Sequence, residues 1–273
     1  MAAGMDRRPV KVRARDLAKE FRVQVAGRHR AVRALDSVSF DIREGEFVAF
    51  TGRSGCGKTT TLRIVMGLEQ ASSGSVEIDG RIVDRCGYDR GMVFQHAELL
   101  PWRTALGNVE FGLEVKGVPA HERRAIARQA LELVGLKQSM DRRPDQLSGG
   151  MKQRVGLARA LAIDPEVLLM DEPFGALDAQ TRESMQSELI SLHEKTRKTV
   201  IFVTHDLDEA VLLSDRVFVF TPHGRIHEVV DVGIRRPRSD MVQIRGADEF
   251  QEKRYHIWKT LKAIDDHSRE AVA

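Results

Sequence analysis

Residues 52 to 59 read Gly-Arg-Ser-Gly-Cys-Gly-Lys-Thr, the spacing G-x-x-x-x-G-K-[ST] of a loop that cradles phosphate. Gly52, Gly55 and Gly57 open backbone conformations that a Cβ closes. The N–H groups along this stretch, those of Arg53, Ser54, Cys56 and Thr60 included, can then turn toward anionic oxygens. Lys58 adds a positive charge near the β- and γ-phosphates, and the Thr59 hydroxyl can ligate Mg²⁺. The chemistry indicated is the binding of a nucleoside triphosphate, ATP or GTP.

Two further stretches fit phosphoryl transfer. Val167-Leu168-Leu169-Met170-Asp171-Glu172 is an apolar run ending in two acids. A buried strand that delivers carboxylates at its C-terminal end sits where open α/β sheets bind ligands. Asp171 can hold Mg²⁺, directly or through water, and Glu172 can act as general base toward water; by itself the pair could equally be a capped strand end. Leu147-Ser148-Gly149-Gly150-Met151-Lys152-Gln153 places a Ser and two glycines at a helix start, a second anion site built from N–H groups and a positive dipole end. One fold rarely needs two phosphate sites unless the second serves a neighbour's nucleotide.

These residues need elements to hold them. Glu46 to Phe50 is β-prone and leads into the loop, and Thr60 to Met66 continues as helix. Val10 to Glu20 and Leu35 to Arg43 read as strands, with Val38, Phe40 and Ile42 alternating at period two, and Val25 to Arg30 as the turn between them. Ser73-Gly74 and Asp79-Gly80 mark turns around a short strand, Ser75 to Ile78. The region from about 96 to 162 reads as helical. Pro119 opens one helix with Ile126, Ala130, Leu133 and Val134 on its face and Gly135 at its end; Ser148 caps another carrying Met151, Val155, Ala158 and Ala162. Val167–Met170, Thr199–Thr204 and Arg216–Thr221 read as strands and Thr181–Lys195 as a helix. This alternation predicts an α/β fold with a largely parallel, helix-covered sheet, an antiparallel β layer at the start and an inserted helical subdomain. Arg235-Arg236-Pro237-Arg238 reads as a basic linker. Beyond it Phe250, Ile257, Leu261 and Ile264 form an amphipathic helix, expected to dock on its own domain rather than on a partner or membrane.

Composition narrows the function classes. The chain has 273 residues and a net charge of only +3, which argues against a dedicated nucleic-acid binder. No apolar run approaches the roughly 18 residues that cross a bilayer, and Met1 to Val10 lacks a signal-peptide core. Cys56 and Cys86 are the two cysteines; a disulfide at Cys56 would obstruct the loop, so a reducing cytosol is expected, with Cys56 as a small loop filler.

With these motifs in order, the chain resembles the ATP-binding cassette ATPases over nearly its whole length. Gly52–Thr59 is similar to their Walker A loop, Val167–Glu172 to Walker B, Leu147–Gln153 to the signature sequence, Gln95 in Val93-Phe94-Gln95 to the Q-loop, Ala176-Leu177-Asp178 to the D-loop, and His205 in Val203-Thr204-His205-Asp206 to the switch histidine. The resemblance implies ATP and Mg²⁺ as cofactors. It implies Thr59 and Gln95 on the metal with Asp171 in support, Glu172 positioning water, and His205 on the γ-phosphate. Phe21 would stack on adenine, where many relatives have Tyr. Ser148 and Gly150 would touch the γ-phosphate of ATP held by the other subunit of a head-to-tail homodimer, and Gly149 and the D-loop's Asp178 would also bind ATP. Arg53 departs mildly from the Pro or Ala common there.

Leu99-Leu100-Pro101-Trp102-Arg103-Thr104, with Pro173 to Asp178 and Arg235 to Arg238, resembles the nitrate/sulfonate/taurine importer group. That implies a cassette over residues 1–234 followed by a linker and helix over 235–273. It also implies integral membrane permease subunits docking near Gln95–Trp102, indirect contact with a solute-binding protein, no nucleic acid, and a peripheral place on the cytoplasmic face of the cell membrane. The tail is too short for the regulatory domain of sugar-importer relatives. A soluble non-transport cassette and an exporter half are the alternatives; the solute itself stays open.

Overall fold

The computed structural model describes residues 8–25 and 28–270. Four short strands with nearly unbroken apolar sequences form the centre: β3 (Phe47–Thr51), β7 (Val167–Asp171), β8 (Thr199–Val203) and β9 (Arg216–Phe220). Runs such as Val-Leu-Leu-Met and Thr-Val-Ile-Phe-Val suit strands buried on both faces, the situation of a parallel sheet under helices. With β6 (Arg90–Val93) and β10 (Ile226–Asp231) they make a six-stranded sheet in the order β10-β9-β3-β8-β7-β6, parallel except for β10.

The alternating segments behave differently. β1 (Val10–Val25), β2 (Arg28–Arg43), β4 (Ser73–Ile78) and β5 (Arg81–Ile82) form a four-stranded antiparallel sheet, order β2-β1-β4-β5. Val12, Ala14, Val38, Phe40 and Ile42 face inward and are buried. Phe40 meets Phe50 and Phe218 of the parallel sheet edge-on, at centroid distances of 5.4 and 5.9 Å. These contacts join the two sheets around α1 (Lys58–Met66). The hairpin is longer than the period-two signal indicates, because its outer half carries exposed polar residues; residues 26 and 27 of the expected turn lie outside the described residues. Ser73 and Gly74 are strand rather than turn, with Ser73 paired to Ala18.

The other face of the parallel sheet is covered by helices. α2 (Ala105–Val115) is capped by Thr104, whose hydroxyl accepts from Gly107 N–H at 3.1 Å. α3 (Ala120–Leu133) follows Pro119, and Gly135 ends it at φ 71°. Its buried face is Ala127, Ala130 and Leu131; Leu133, expected inside, is half exposed. α4 (Gly149–Ala162) completes this helical subdomain, and α5 (Ala179–Thr196), α6 (Leu207–Leu213), α7 (Met241–Gly246) and α8 (Asp248–Glu270) follow. α8 docks on its own chain through Phe250 and Ile257, both fully buried, with Leu261 and Ile264 packed behind them, as the amphipathic pattern predicts.

Residues 235–238 differ from the solvated linker that their charge suggests. The Arg238 side chain is 1% exposed. Its guanidinium donates to the carbonyls of Leu212 and Ser214, both at 2.8 Å, and of Val211 and Ile234. Arg236 donates to Asp215 at 3.0 Å and to the Leu213 carbonyl at 2.7 Å. Burial of an arginine is tolerated where acceptors surround its fork of donors, and here the C-terminal end of α6 supplies them. Positive charge in a sequence does not reveal such acceptors.

Beside this cluster His193 is buried against the Phe47 ring at 5.3 Å, and among the described residues neither ring nitrogen meets a well-formed hydrogen-bond partner. Burial, and then the nearby Arg236 charge, push its pKa from 6.5 down to about 4. The folded state therefore resists protonation that the unfolded chain accepts. The stability that depends on neutral His193 is full above pH 6.5 and declines as pH falls toward 4, by up to about 3 kcal/mol. His193→Leu is expected to flatten the loss of urea resistance between pH 6.5 and 4. An unchanged pH profile in equilibrium unfolding would remove His193 from this role.

Candidate nucleotide site

The parallel strands end on one edge of the sheet, and each delivers one motif there. β3 runs into the loop at 52–57, β8 into Thr204-His205, β7 into Asp171-Glu172, and β6 into Phe94-Gln95. The strand order β3-β8-β7-β6 sets these segments side by side, at the carboxyl edge where open α/β sheets hold ligands.

The loop has the backbone a phosphate cradle needs. Gly57 lies at φ 96°, and a Cβ there would sit 2.5 Å from both the Ala34 carbonyl oxygen and Leu35 Cδ2. A Cβ at Gly55, which lies at φ 81°, would meet nothing within 4 Å among the described residues, so only its conformation demands glycine. Gly57 is also the N-cap of α1 and supplies no side-chain cap, which leaves the helix start to satisfy its N–H groups on a ligand. Lys58 is buried, and its Nζ donates to the Gly52 and Arg53 carbonyls at 2.8 and 2.9 Å. Cys56 is buried with its thiol pushed up by burial, an unreactive filler. Arg53 points away from the loop and pairs with Asp265 of α8 at 3.3 Å.

The Thr59 hydroxyl donates to Asp171 Oδ1 at 2.9 Å. Burial raises the Asp171 carboxyl above its ordinary range, while Thr59 pulls it back. A hydroxyl and a carboxylate in contact at the foot of a phosphate loop are hard oxygen donors of the kind Mg²⁺ takes, so these residues fit that ion. Glu172 holds a left-handed backbone at φ 43° and its N–H donates to the Val203 carbonyl at 2.9 Å. That conformation costs a non-glycine residue about 1–2 kcal/mol, and it turns the side chain out of the strand. Glu172 Oε2 lies 3.1 Å from His205 Nδ1. A cavity of about 40 Å³ beside this pair has room for a water. A Cβ at Gly175 would lie 3.8 Å from Gln95 Nε2 and 3.9 Å from Glu172 Oε2, so Gln95 joins the same group.

The remaining expected residues lie elsewhere. Ser148 caps α4, accepting from Met151 N–H at 3.3 Å, and Gly150 packs on Thr181. Asp178 caps α5, accepting from Thr181 N–H at 3.0 Å and its hydroxyl at 2.7 Å, and these bonds lower its pKa. Among the described residues, no hydrogen bond or ion pair joins Ser148, Gly149, Gly150 or Asp178 to residues 52–60. Phe21 lies half-buried on β1, with Lys19 Nζ 4.9 Å from its ring centre. Two residues that pattern reasoning passes over, Gln153 and Arg159, turn out to hold the Gln95 segment. Gln153 lies in the signature stretch, but no periodicity says where its amide points.

A parallel-sheet P-loop core with these motifs defines a nucleoside-triphosphate hydrolase. The profile of the ABC transporter family matches residues 35–175. An uncharacterised ABC transporter ATP-binding protein of Methanocaldococcus jannaschii is 50% identical over 94% of this chain and 93% of its own. The taurine import ATP-binding protein TauB of Rhizobium johnstonii is 47% identical over 87% of this chain and 92% of its own. The nitrate import ATP-binding protein NrtD of Synechococcus elongatus is 49% identical over 75% and 76%. A solved dimeric ATP-binding cassette in a post-hydrolysis state, bound to ADP and Pi, superposes with a TM-score of 0.72 at 35% identity, over 81% of this chain and 98% of that one. The chain belongs to the ABC transporter family, as an ATP-binding, ATP-hydrolysing cassette. No helix among the described residues is long and apolar enough to cross a membrane.

Proposed function

We propose that this chain is the ATPase subunit of an importer for a small solute that carries an anionic group, as taurine, nitrate and bicarbonate do, all named in its relatives. The observation that supports the chemistry most is the convergence of the phosphate loop, Asp171-Glu172, Gln95 and His205 at one sheet edge. The cassette proper is assigned to residues 1–234 and the C-terminal extension to 235–273.

In this reading the N–H groups from Gly52 to Thr60, with Lys58, bind the triphosphate, and Phe21 stacks on adenine. Thr59, Gln95 and Asp171 would hold Mg²⁺, which would supply positive charge against the transferring phosphoryl group. Glu172 takes a proton from the attacking water, and His205 holds Glu172 in place and reaches the γ-phosphate. Ser148, Gly149, Gly150 and Asp178 serve the nucleotide of a second copy, so two subunits close head to tail on two ATP molecules. Their separation from the phosphate loop of their own chain supports this. Triphosphate favours the closed pair because only it brings the second subunit's donors into use.

Closure is passed to integral membrane permease subunits docked near Gln95–Trp102, placing the chain peripherally on the cytoplasmic face of the cell membrane. A solute-binding protein acts on the far side, and no nucleic acid is involved. Trp102 is 67% exposed, beside the stacked pair of Arg103 and Phe111, as an interface anchor would be. Affinity capture of the tagged chain from its native membranes is expected to recover a spanning subunit, and Trp102→Glu to reduce that recovery at least tenfold. Recovery on ribosomes instead would overturn the importer reading.

A further inference from the structure

α4 begins with the signature residues and continues as a brace for the Gln95 segment. Gln153, Gly156 and Arg159 stand three residues apart and share one face of the helix. Gln153 is 4% exposed. Its Nε2 donates to the carbonyls of Phe94, Gln95 and Pro173 at 3.1, 3.0 and 2.8 Å. Gly156 lets the chain approach closely: a Cβ there would lie 3.5 Å from that of Ala97. Arg159 donates to the carbonyls of Ala97 and Glu98 at 2.7 and 2.8 Å, and Glu98 is held in the left-handed region at φ 45°.

Resting on the paired-cassette reading, we propose that Gln153, with Arg159 behind it, is a positioning element that couples the two ATP sites. In one subunit its amide is bonded to Gln95, which serves that subunit's own ATP. It is bonded equally to Pro173, next to Glu172. Five residues earlier on the same helix start lies Ser148, which serves the partner's ATP. A shift of Gln95 on its own nucleotide therefore moves the signature as part of the same rigid unit, and the reverse. Two short segments with flexible carbonyls would slide independently without these bonds, since the loop 94–98 forms no strand or helix of its own.

The test is ATP hydrolysis by the full chain as a function of ATP concentration, with single-subunit ATP affinity and urea midpoint measured alongside. Two coupled sites give a Hill coefficient approaching about 2. Gln153→Met, of similar shape without donors, is expected to bring it to about 1 and to lower the maximal rate about tenfold, with single-subunit affinity kept within about twofold. Gln153→Leu, also without donors and without a charge against the three carbonyls, is the second variant and is expected to behave the same way. Arg154→Ala is the control. The Arg154 side chain pairs with Glu188 and Ser184 on α5 and donates to the Val134 carbonyl, and among the described residues no hydrogen bond joins it to residues 94–98 or Pro173, so its loss is expected to lower the urea midpoint and leave the Hill coefficient alone. Cooperativity retained in both Gln153 variants, or lost equally in Arg154→Ala, overturns the proposal. A native chain that neither dimerises with ATP nor hydrolyses cooperatively removes the paired-site reading, and the coupling with it.

Discussion

Glu172→Gln is expected to slow ATP hydrolysis about a hundred- to ten-thousandfold, the range of a lost general base, while ATP binding persists. The substitution keeps size and a hydrogen-bonding group beside His205, 3.1 Å away, so the strained turn at φ 43° has no new reason to rearrange. On the proposed roles, what disappears is the basicity that would draw a proton from the attacking water, together with one negative charge beside a bound triphosphate. The first loss stops turnover and the second eases closure, so the ATP-loaded pair should accumulate. Single-turnover hydrolysis with labelled ATP checks the rate and filter binding checks retention. A rate within about tenfold of the native chain, roughly 1.4 kcal/mol, would mean that Glu172 is not the base.

Much of this was legible in the residue order, for physical reasons that differ by element. The phosphate loop declares itself because Gly57 stands where a Cβ would strike Ala34 and Leu35; few other residues can occupy that place. β7 and β8 declare themselves because a strand buried on both faces is apolar throughout. Ser148, Asp178 and Thr104 read as caps from their side chains alone. Less legible are features set by partners distant in sequence. Arg238 is polar by type and buried by the carbonyls of α6. The first half of β2 has no inward apolar alternation and is a strand because β1 pairs with it. Leu133 continues the helical pattern of α3 past the end of the core. Gln153 lies inside a motif marked by its glycines, while its amide bonds to the carbonyls of Phe94, Gln95 and Pro173.

On the proposed reading the phosphate loop is half of a site, and the N-terminus of α4 from a second copy completes it. Ser148→Arg tests it on the Glu172→Gln background. Ser148 is exposed and caps α4 through Met151 N–H, so its loss costs the subunit only about 1 kcal/mol. A long cationic side chain there would obstruct an approaching phosphate loop that already carries Lys58, and two desolvated like charges cost several kcal/mol at an interface. Pairing is expected to weaken at least about a hundredfold, roughly 2.7 kcal/mol. The measurement is molar mass by light scattering with and without ATP, alongside ATP binding to dilute single subunits. With Glu172→Gln alone, ATP should double the mass. With Ser148→Arg added, the mass should stay that of one subunit while single-subunit affinity is unchanged. Undiminished doubling, or loss of ATP binding by the single subunit, would contradict a site shared between two copies.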